Sequence, residues 1–238
     1  MSHAAKSVVM ALILLSAMVQ GGEGAKQVKV LIVGGGSSHD FAKWFNAADV
    51  AILSEGGKAA VTYTDKIDTI MASLKDIDVL YLSNNQPMAN VELRKGIFDH
   101  ADAGKGLLLV HPALWYNWGD WKEYNAVLVG GGSKGHDKFG EFEVTVDDAK
   151  HPIMKDVPTT FKITDELYYF IKDEKGTPIE ILATGKSPLN GKTFPVVFVV
   201  KHPKTRIVAI TLGHDGKAHD HPAYKTLLRN ALEWVSQK

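Results

Sequence analysis

The chain has 238 residues, of which 45% are hydrophobic and 23% are charged, so it can bury a core of its own. Lysine plus arginine and aspartate plus glutamate number 27 each, and the resulting zero formal charge argues against a nucleic-acid partner. The sequence contains no cysteine, which excludes a thiol nucleophile, a disulfide framework and a lipoprotein attachment site.

The first 25 residues differ in character from the rest of the chain. Lys6 supplies positive charge, residues 8–19 are almost unbroken hydrocarbon, and residues 20–25 are small and flexible. This is the layout of a secretory signal peptide, and the apolar stretch is shorter than the ~20 residues that a transmembrane helix needs. We therefore expect residues 1–25 to be a signal peptide and residues 26–238 to be one exported domain, periplasmic or extracellular. Contact with a membrane is expected only through the signal segment, if that segment stays uncleaved.

In chain order, the next hundred residues alternate short apolar strands with helical patterns. Buried strands that alternate with helices are typical of a parallel, doubly wound sheet with helices on both faces. The predicted elements are a strand at 29–33, a helix through 41–48, a strand at 59–63, a helix at 67–74, a strand at 78–82, a helix at 91–101 and a strand at 106–110.

The second half of the chain is richer in strands. The last two of them flank the turn His202-Pro203-Lys204-Thr205 and predict a β-hairpin that is added to the sheet. A final amphipathic helix is expected to begin at His221, with Asp220 explained as a helix-capping residue. The predicted strands of this half are 141–146, 161–163, 179–183, 196–200 and 207–211.

His111 is the most informative single residue. It ends the apolar strand 106–110 and is followed at once by Pro112 and a cluster of aromatic residues. A polar side chain in this position lies at the carboxyl edge of a parallel sheet, where open α/β sheets bind ligands. Three more histidines, His39, His136 and His214, fall on loops predicted at the same edge.

Such a group of histidines suits two kinds of chemistry. Neutral imidazole binds transition metals, and it also transfers protons near neutral pH. Glu166, just after strand 161–163, could serve as a base or as a metal ligand, although Asp165 beside it could simply cap a turn. Each histidine alone is more commonly a hydrogen-bonded loop residue. His100, His151, His219 and His221 are interpreted as surface, turn or capping residues outside the site.

The glycine run 34–36 after the first strand does not indicate a nucleotide site. Its spacing matches neither the dinucleotide fingerprint nor a phosphate-binding loop. We expect instead a tight turn that lets His39 point over the sheet edge, and no nucleotide cofactor.

Four aromatic residues follow His111 within ten positions. Aromatic faces stack on the apolar C–H faces of sugar rings, whose hydroxyls then need Asn, Asp or His partners. Trp115, Tyr116 and Asp215 are therefore candidate sugar-binding residues. Core packing is the competing explanation and is expected for two of the aromatic residues, which are Trp115, Tyr116, Trp118 and Trp121.

Taken together, these motifs resemble the ThuA-like family, the trehalose-utilisation proteins that share the class I glutamine amidotransferase-like fold. The resemblance covers nearly all of the chain after the signal segment. It rests on Gly34-Gly35-Gly36 with His39, Val110-His111, 128–132 with His136, His151-Pro152-Ile153, Asp165-Glu166-Leu167-Tyr168, and Leu212-Gly213-His214-Asp215 leading to 230–234.

The resemblance implies a flavodoxin-like domain, with a doubly wound, mostly parallel sheet and helices on both faces. It also implies a role in sugar catabolism on oxidised (3-keto) disaccharides or glycosides, in concert with an oxidoreductase. Amidotransferase activity is not expected, because the nucleophilic cysteine is missing. Pro112 departs from the small residue or cysteine that is more frequent after this position, which puts the backbone geometry at His111 in question.

Three hypotheses follow. In the first, the protein is a carbohydrate-active isomerase, lyase or hydrolase in which His111, Glu166 and His214 are catalytic. A divalent metal on His39, His111, His136 and His214 belongs to this hypothesis. In the second, the protein is a noncatalytic carbohydrate-binding module, and in the third it is a structural or interaction domain.

Overall fold

The computed structural model describes residue 1 and residues 26–237. The predicted signal peptide therefore lies almost wholly outside the described residues. Within residues 26–237, no helix is long and apolar enough to cross a membrane.

Five parallel strands form one half of a nine-stranded sheet. Their spatial order is β2-β1-β3-β4-β11, and each of the four contacts between neighbours is parallel. The predicted parallel sheet is confirmed, with the bounds β1 (Val28–Val33), β2 (Ala59–Thr64), β3 (Val79–Leu82), β4 (Gly106–Val110) and β11 (Ile207–Ile210).

The other half of the sheet is antiparallel. The predicted hairpin exists, with Val197 opposite Ile210, but it lies inside the sheet because β11 also pairs with β4. The sheet then continues in the order β10-β9-β6-β7. Its bounds are β6 (Gly140–Val146), β7 (Thr160–Asp165), β9 (Ile179–Lys186) and β10 (Thr193–Val200).

A small second sheet was not predicted. It pairs β5 (Gly131–His136) with β8 (Tyr168–Lys172) in antiparallel register. His136 is therefore the last residue of a strand rather than a loop residue. Residue propensities do not predict this strand, because it contains glycines at positions 131 and 132 and glycine is depleted in strands.

Helices cover both faces of the large sheet, as predicted. Alternate residues of β1 point to opposite faces, so that Ile32 joins the core beneath one helical layer and Leu31 the core beneath the other. The helices are α1 (Val50–Ser54), which continues a π-helical segment Ala42–Asp49, α2 (Ile67–Ser73), α3 (Val91–Asp102), α4 (Gly216–His219) and α5 (Pro222–Ser236).

Two predictions about residues outside the site were wrong. His100 is only 4% exposed, because it lies on the face of α3 that packs toward the sheet. Asp220 does not cap the final helix. His221 does so, because its Nδ1 accepts the backbone N–H of Ala223 at 3.2 Å.

Candidate functional site

Loops from four strands meet at one edge of the sheet. His39 follows β1, His111 follows β4 directly, and His214 follows β11, so these three come from the carboxyl ends of strands in the parallel half of the sheet. Glu166 follows β7, the most distant strand of the sheet. The structure nevertheless brings it to the same place, because the antiparallel half of the sheet returns the end of β7 to the loop after β11.

His111 occupies a strained turn between β4 and a short 3-10 helical segment, His111–Leu114. Its φ of 44° lies in the left-handed region, which is rare for a residue with a side chain. Its Nδ1–H donates to the carbonyl oxygen of Thr211 at 2.6 Å, and the lone pair is therefore on Nε2. The ring is fully buried and stacks on Tyr168, with 4.4 Å between the ring centroids. The Nε2 atom is buried without a hydrogen-bond partner among the described residues.

His39 is held by a short chain of polar groups. Asn85 Nδ2 donates to Ser38 Oγ at 2.6 Å, and Ser38 Oγ is in turn hydrogen-bonded to His39 Nδ1. This fixes the ring and leaves Nε2 directed away from the chain of polar groups, buried and unpartnered. The centroid of the His39 ring lies 4.9 Å from that of His111 and 4.7 Å from that of His214.

Glu166 joins the histidines through both of its carboxylate oxygens. Its Oε2 lies 3.1 Å from His214 Nδ1 and 3.8 Å from His111 Nε2. Its Oε1 lies 3.6 Å from His136 Nδ1. The separation of 3.1 Å makes His214 and Glu166 a close ion pair, whereas the separations of 3.8 Å and 3.6 Å are too long for hydrogen bonds.

Burial sets the protonation of the cluster. It lowers the pKa of His39 to about 4, with help from His214, and it lowers the pKa of His111 well below its ordinary value, with help from His39. The Glu166 carboxylate raises the pKa of His214. Burial opposes ionisation of Glu166, but His214 and His136 outweigh it and lower the pKa of that carboxyl. His39 and His111 are thus neutral at pH 7, which is the form that binds metals.

The donor set fits a divalent transition metal. One ligand atom from each of His39, His111, Glu166 and His214 can be chosen so that all four lie within 4.8 Å of one another. Two buried imidazole nitrogens, His39 Nε2 and His111 Nε2, have no hydrogen-bond partner among the described residues, which is unfavourable unless something binds there. Nitrogen donors with one carboxylate are typical of Zn²⁺ and related ions.

His136 lies beside this group rather than within it. It was predicted to be a ligand, but the four groups that meet include Glu166 and leave His136 outside. Its Nδ1–H donates to the Asp137 carbonyl oxygen at 2.7 Å, and about one third of its side chain, 35%, is exposed.

A cavity of about 230 Å³ opens above the cluster. Trp115 forms one wall, with its ring 5.1 Å from that of Tyr168 and 5.8 Å from that of His136. Among the described residues that line it, none is a lysine or an arginine. They are Ser38, His39, Asn85, Pro112, Trp115, Asn117, His136, Glu166, Tyr168 and His214.

The other predicted sugar-binding residues do not line the cavity. Tyr116 packs against Gly132 and lies beneath the Lys134 ammonium. Asp215 caps α4, because its Oδ1 accepts the N–H of Lys217 at 2.8 Å. Of the four aromatic residues after position 114, Trp118 and Trp121 are in the core, which agrees with the expectation that two of them pack inward.

Several lining residues escaped the sequence analysis. Ser38 and Asn85 lie on the loops that follow β1 and β3, so their position beyond the ends of parallel strands could have identified them. Tyr168 is buried, and its ring stacks on that of His111. Asn117 had no signal, because its position depends on the turn after the 3-10 segment. Its Nδ2 donates to the Pro112 carbonyl oxygen at 2.5 Å.

Comparisons with known proteins agree with this architecture. The profile of a family described as "Trehalose utilisation" (ThuA) matches residues 29–235. A ThuA-like protein from Parabacteroides merdae shares 19% identity with a TM-score of 0.76, covering 89% of this chain and 91% of its own. A second, from Bacteroides uniformis, shares 21% identity with a TM-score of 0.72, covering 90% and 94%.

The likeness extends to a glutaminase. The glutaminase domain of CTPS from Trypanosoma brucei shares 8% identity with a TM-score of 0.54, and the match covers 87% of this chain and 94% of that one. At this identity the likeness concerns the fold alone, which is the amidotransferase-like fold expected from the sequence. No curated protein matches the chain in sequence.

Proposed function

Because this chain belongs to the ThuA trehalose-utilisation family, we propose that it is an exported, metal-dependent enzyme of sugar catabolism that acts on uncharged sugars. One observation carries the proposal. His39 Nε2 and His111 Nε2, which are buried without a hydrogen-bond partner among the described residues, meet the His214–Glu166 ion pair beside a cavity walled by Trp115.

The cavity lining favours a neutral sugar. Trp115 offers a face to the C–H groups of a sugar ring, while Ser38, Asn85 and Asn117 offer partners for its hydroxyls. A sugar phosphate would meet no lysine or arginine among these lining residues. The volume of about 230 Å³ is below the ~300–1,000 Å³ of most small-molecule sites, which favours one ring inside and the rest of a disaccharide outside.

The proposed substrates are oxidised (3-keto) disaccharides or glycosides. A ketone at C3 makes the C2 proton acidic, so a base that removes it allows a C1–C2 double bond to form as the C1–O glycosidic bond breaks. The departing oxygen then takes up a proton. A divalent metal, when bound, would supply a Lewis acid for the sugar oxygens.

The chain's own residues divide this work. His111 is buried, while His39, His214 and Glu166 are half-buried, and one donor atom from each of the four would hold the metal. His136 is at the cavity mouth with Nδ1 fixed on a carbonyl, so its Nε2 is free to exchange a proton with a substrate.

Elemental analysis of the purified protein tests the metal. We expect one equivalent of a divalent transition metal in the parent and loss of it in His111→Ala and His214→Ala. Glu166→Gln keeps the side-chain shape if an alanine variant fails to fold, and His151→Ala is the matched control outside the cluster. If the parent protein stays metal-free after metal supplementation, the proposed metal site is contradicted. Acid–base catalysis by the same residues would then be the remaining mechanism.

Turnover tests the reaction. Glucosides and their 3-keto forms are incubated with the metal-loaded parent, and the products are identified by mass spectrometry. A product that forms from the 3-keto sugar and not from the parent glucoside supports elimination. Absence of product from every sugar contradicts the proposal that the protein is an enzyme. Sugar phosphates serve as the charged comparison and are expected to be poor substrates.

A noncatalytic carbohydrate-binding module is the second candidate, favoured by the wall that Trp115 forms at the cavity. It predicts saturable sugar binding that is lost in Trp115→Ala, with no product at any metal concentration. Export is tested separately by N-terminal sequencing of the protein recovered outside the cytoplasm. The pattern of residues 1–25 supports a mature chain that starts near residues 25–27.

A further inference from the structure

The buried carboxylate of Asp165 holds two loops of the cluster together. We propose that Asp165 is a positioning residue that sets the separation of Glu166 from His214, and so the geometry of the metal site. The inference rests on the proposed metal function but has a test of its own. A residue that only capped its own turn would need no contact beyond Glu166.

Three backbone N–H groups donate to Asp165, which has 0% exposure. The N–H of Glu166 donates to Oδ1 at 2.8 Å. The other two come from a loop 48 and 49 residues away, where the N–H of Gly213 donates to Oδ2 at 2.7 Å and that of His214 to Oδ1 at 3.1 Å. Both oxygens are thus occupied, and two of the three bonds cross between loops.

The same loop is held from its other side. Gly213 has a φ of 122°, which favours glycine, and its carbonyl oxygen lies 3.0 Å from His219 Nε2. His219 Nδ1 lies 2.7 Å from Asp49 Oδ1, so that ring is itself fixed in the core. The Gly213 carbonyl oxygen is thus held by His219. The N–H groups of Gly213 and His214 are held by Asp165, so the position of His214 relative to Glu166 depends on Asp165.

The consequence concerns affinity and coordination rather than folding alone. Glu166 Oε2 and His214 Nδ1 are 3.1 Å apart. A shift of either loop changes that separation, and changes to residues that orient metal ligands typically cost about 10–100-fold in affinity.

Cobalt titration of Asp165→Asn tests the proposal. Asparagine has the same shape but replaces one acceptor oxygen with an NH₂ group, which donates and cannot accept. We expect Co²⁺ to bind about 10–100-fold more weakly than in the parent, with altered intensity of its visible absorption bands. Asp148→Asn is the matched control, since Asp148 Oδ1 accepts only from Lys150 in a local turn. Equal affinity and an equal spectrum in Asp165→Asn would overturn the inference.

Amide hydrogen exchange, measured on the metal-free parent, gives a second test. It requires neither bound metal nor a folded Asp165→Asn variant. We expect the amides of Gly213 and His214 to exchange as slowly as those of β11, although they belong to a loop. Fast exchange at both amides would overturn the positioning role even if cobalt binds. A parent that binds no cobalt but protects both amides would refute the proposed metal and retain the link between the loops.

Discussion

Burial of His100 lowers the folding stability of the protein by an amount that depends on pH and can be calculated from the structure. It is 4% exposed, its Nδ1 has no partner, and its Nε2 lies 3.4 Å from the Gly106 carbonyl oxygen. Burial, with a smaller contribution from Lys105, lowers the pKa of His100 from 6.5 to about 4. The unfolded chain therefore binds a proton between these pH values that the folded protein does not bind, so folding stability falls as pH decreases through this range.

The size of this free-energy cost follows from the lowered pKa of His100. At pH 5 the imidazole of the unfolded chain is 1.5 pH units below its pKa of 6.5, and each unit is worth about 1.4 kcal/mol. The cost at pH 5 is thus about 2 kcal/mol, and it nearly vanishes at pH 7. His100→Leu removes it, so the stability of the variant relative to the parent should rise by about 2 kcal/mol between pH 7 and pH 5.

Urea unfolding of metal-free parent and variant at both pH values measures this difference. The comparison cancels the packing change, which is the same at each pH. A smaller gain is expected for His202→Leu, because burial lowers the pKa of His202 but the Asp102 carboxylate, 3.9 Å away, opposes that effect. A stability difference for His100→Leu that does not change with pH would refute the assigned shift.

Three further predictions concern the site and its support. Asp49→Asn should cost about 3 kcal/mol of unfolding free energy in a urea titration, since it leaves His219 buried without its carboxylate partner; an unchanged midpoint would contradict a charged pair. Gly36→Ala should lower the melting temperature and the metal content, because the φ of Gly36 is 131° and a Cβ there would lie 1.5 Å from Asn85 Oδ1. Gly119→Ala is the control and should change neither, because no atom lies within 4 Å of the added Cβ. Trp115→Ala should weaken sugar binding about 10-fold by calorimetry, and unchanged affinity would place the sugar elsewhere.

Local patterns were enough to predict the parallel half of the fold. The runs at β1, β3 and β4 are apolar on both faces, a pattern that only a sheet covered on both sides produces. The position of His111 at the end of β4 followed from the same reasoning. The small sheet of β5 and β8 was missed, because the glycines of β5 carry no strand signal and its pairing spans more than thirty residues.

The site divides in the same way. His39, His111 and His214 could be expected to meet because each follows a strand of the parallel sheet. Glu166 was a possible ligand from its place after a strand, but the exclusion of His136 could not be expected, since it depends on where the small sheet of β5 and β8 lies. Nor could sequence spacing distinguish Trp115, which lines the cavity, from Trp118 and Trp121, which pack in the core.

The sequence by itself determined the strands of the parallel half, the sheet edge at which polar residues collect and the absence of a thiol nucleophile. These depend on residue type and on periods of a few residues, which any local conformation must respect. Tertiary structure alone decided which donors share one point, which are left without partners, and that Asp165 binds the loop of His214. Those properties depend on distances between residues far apart in the chain, and burial then sets the charge of each group by removing it from water.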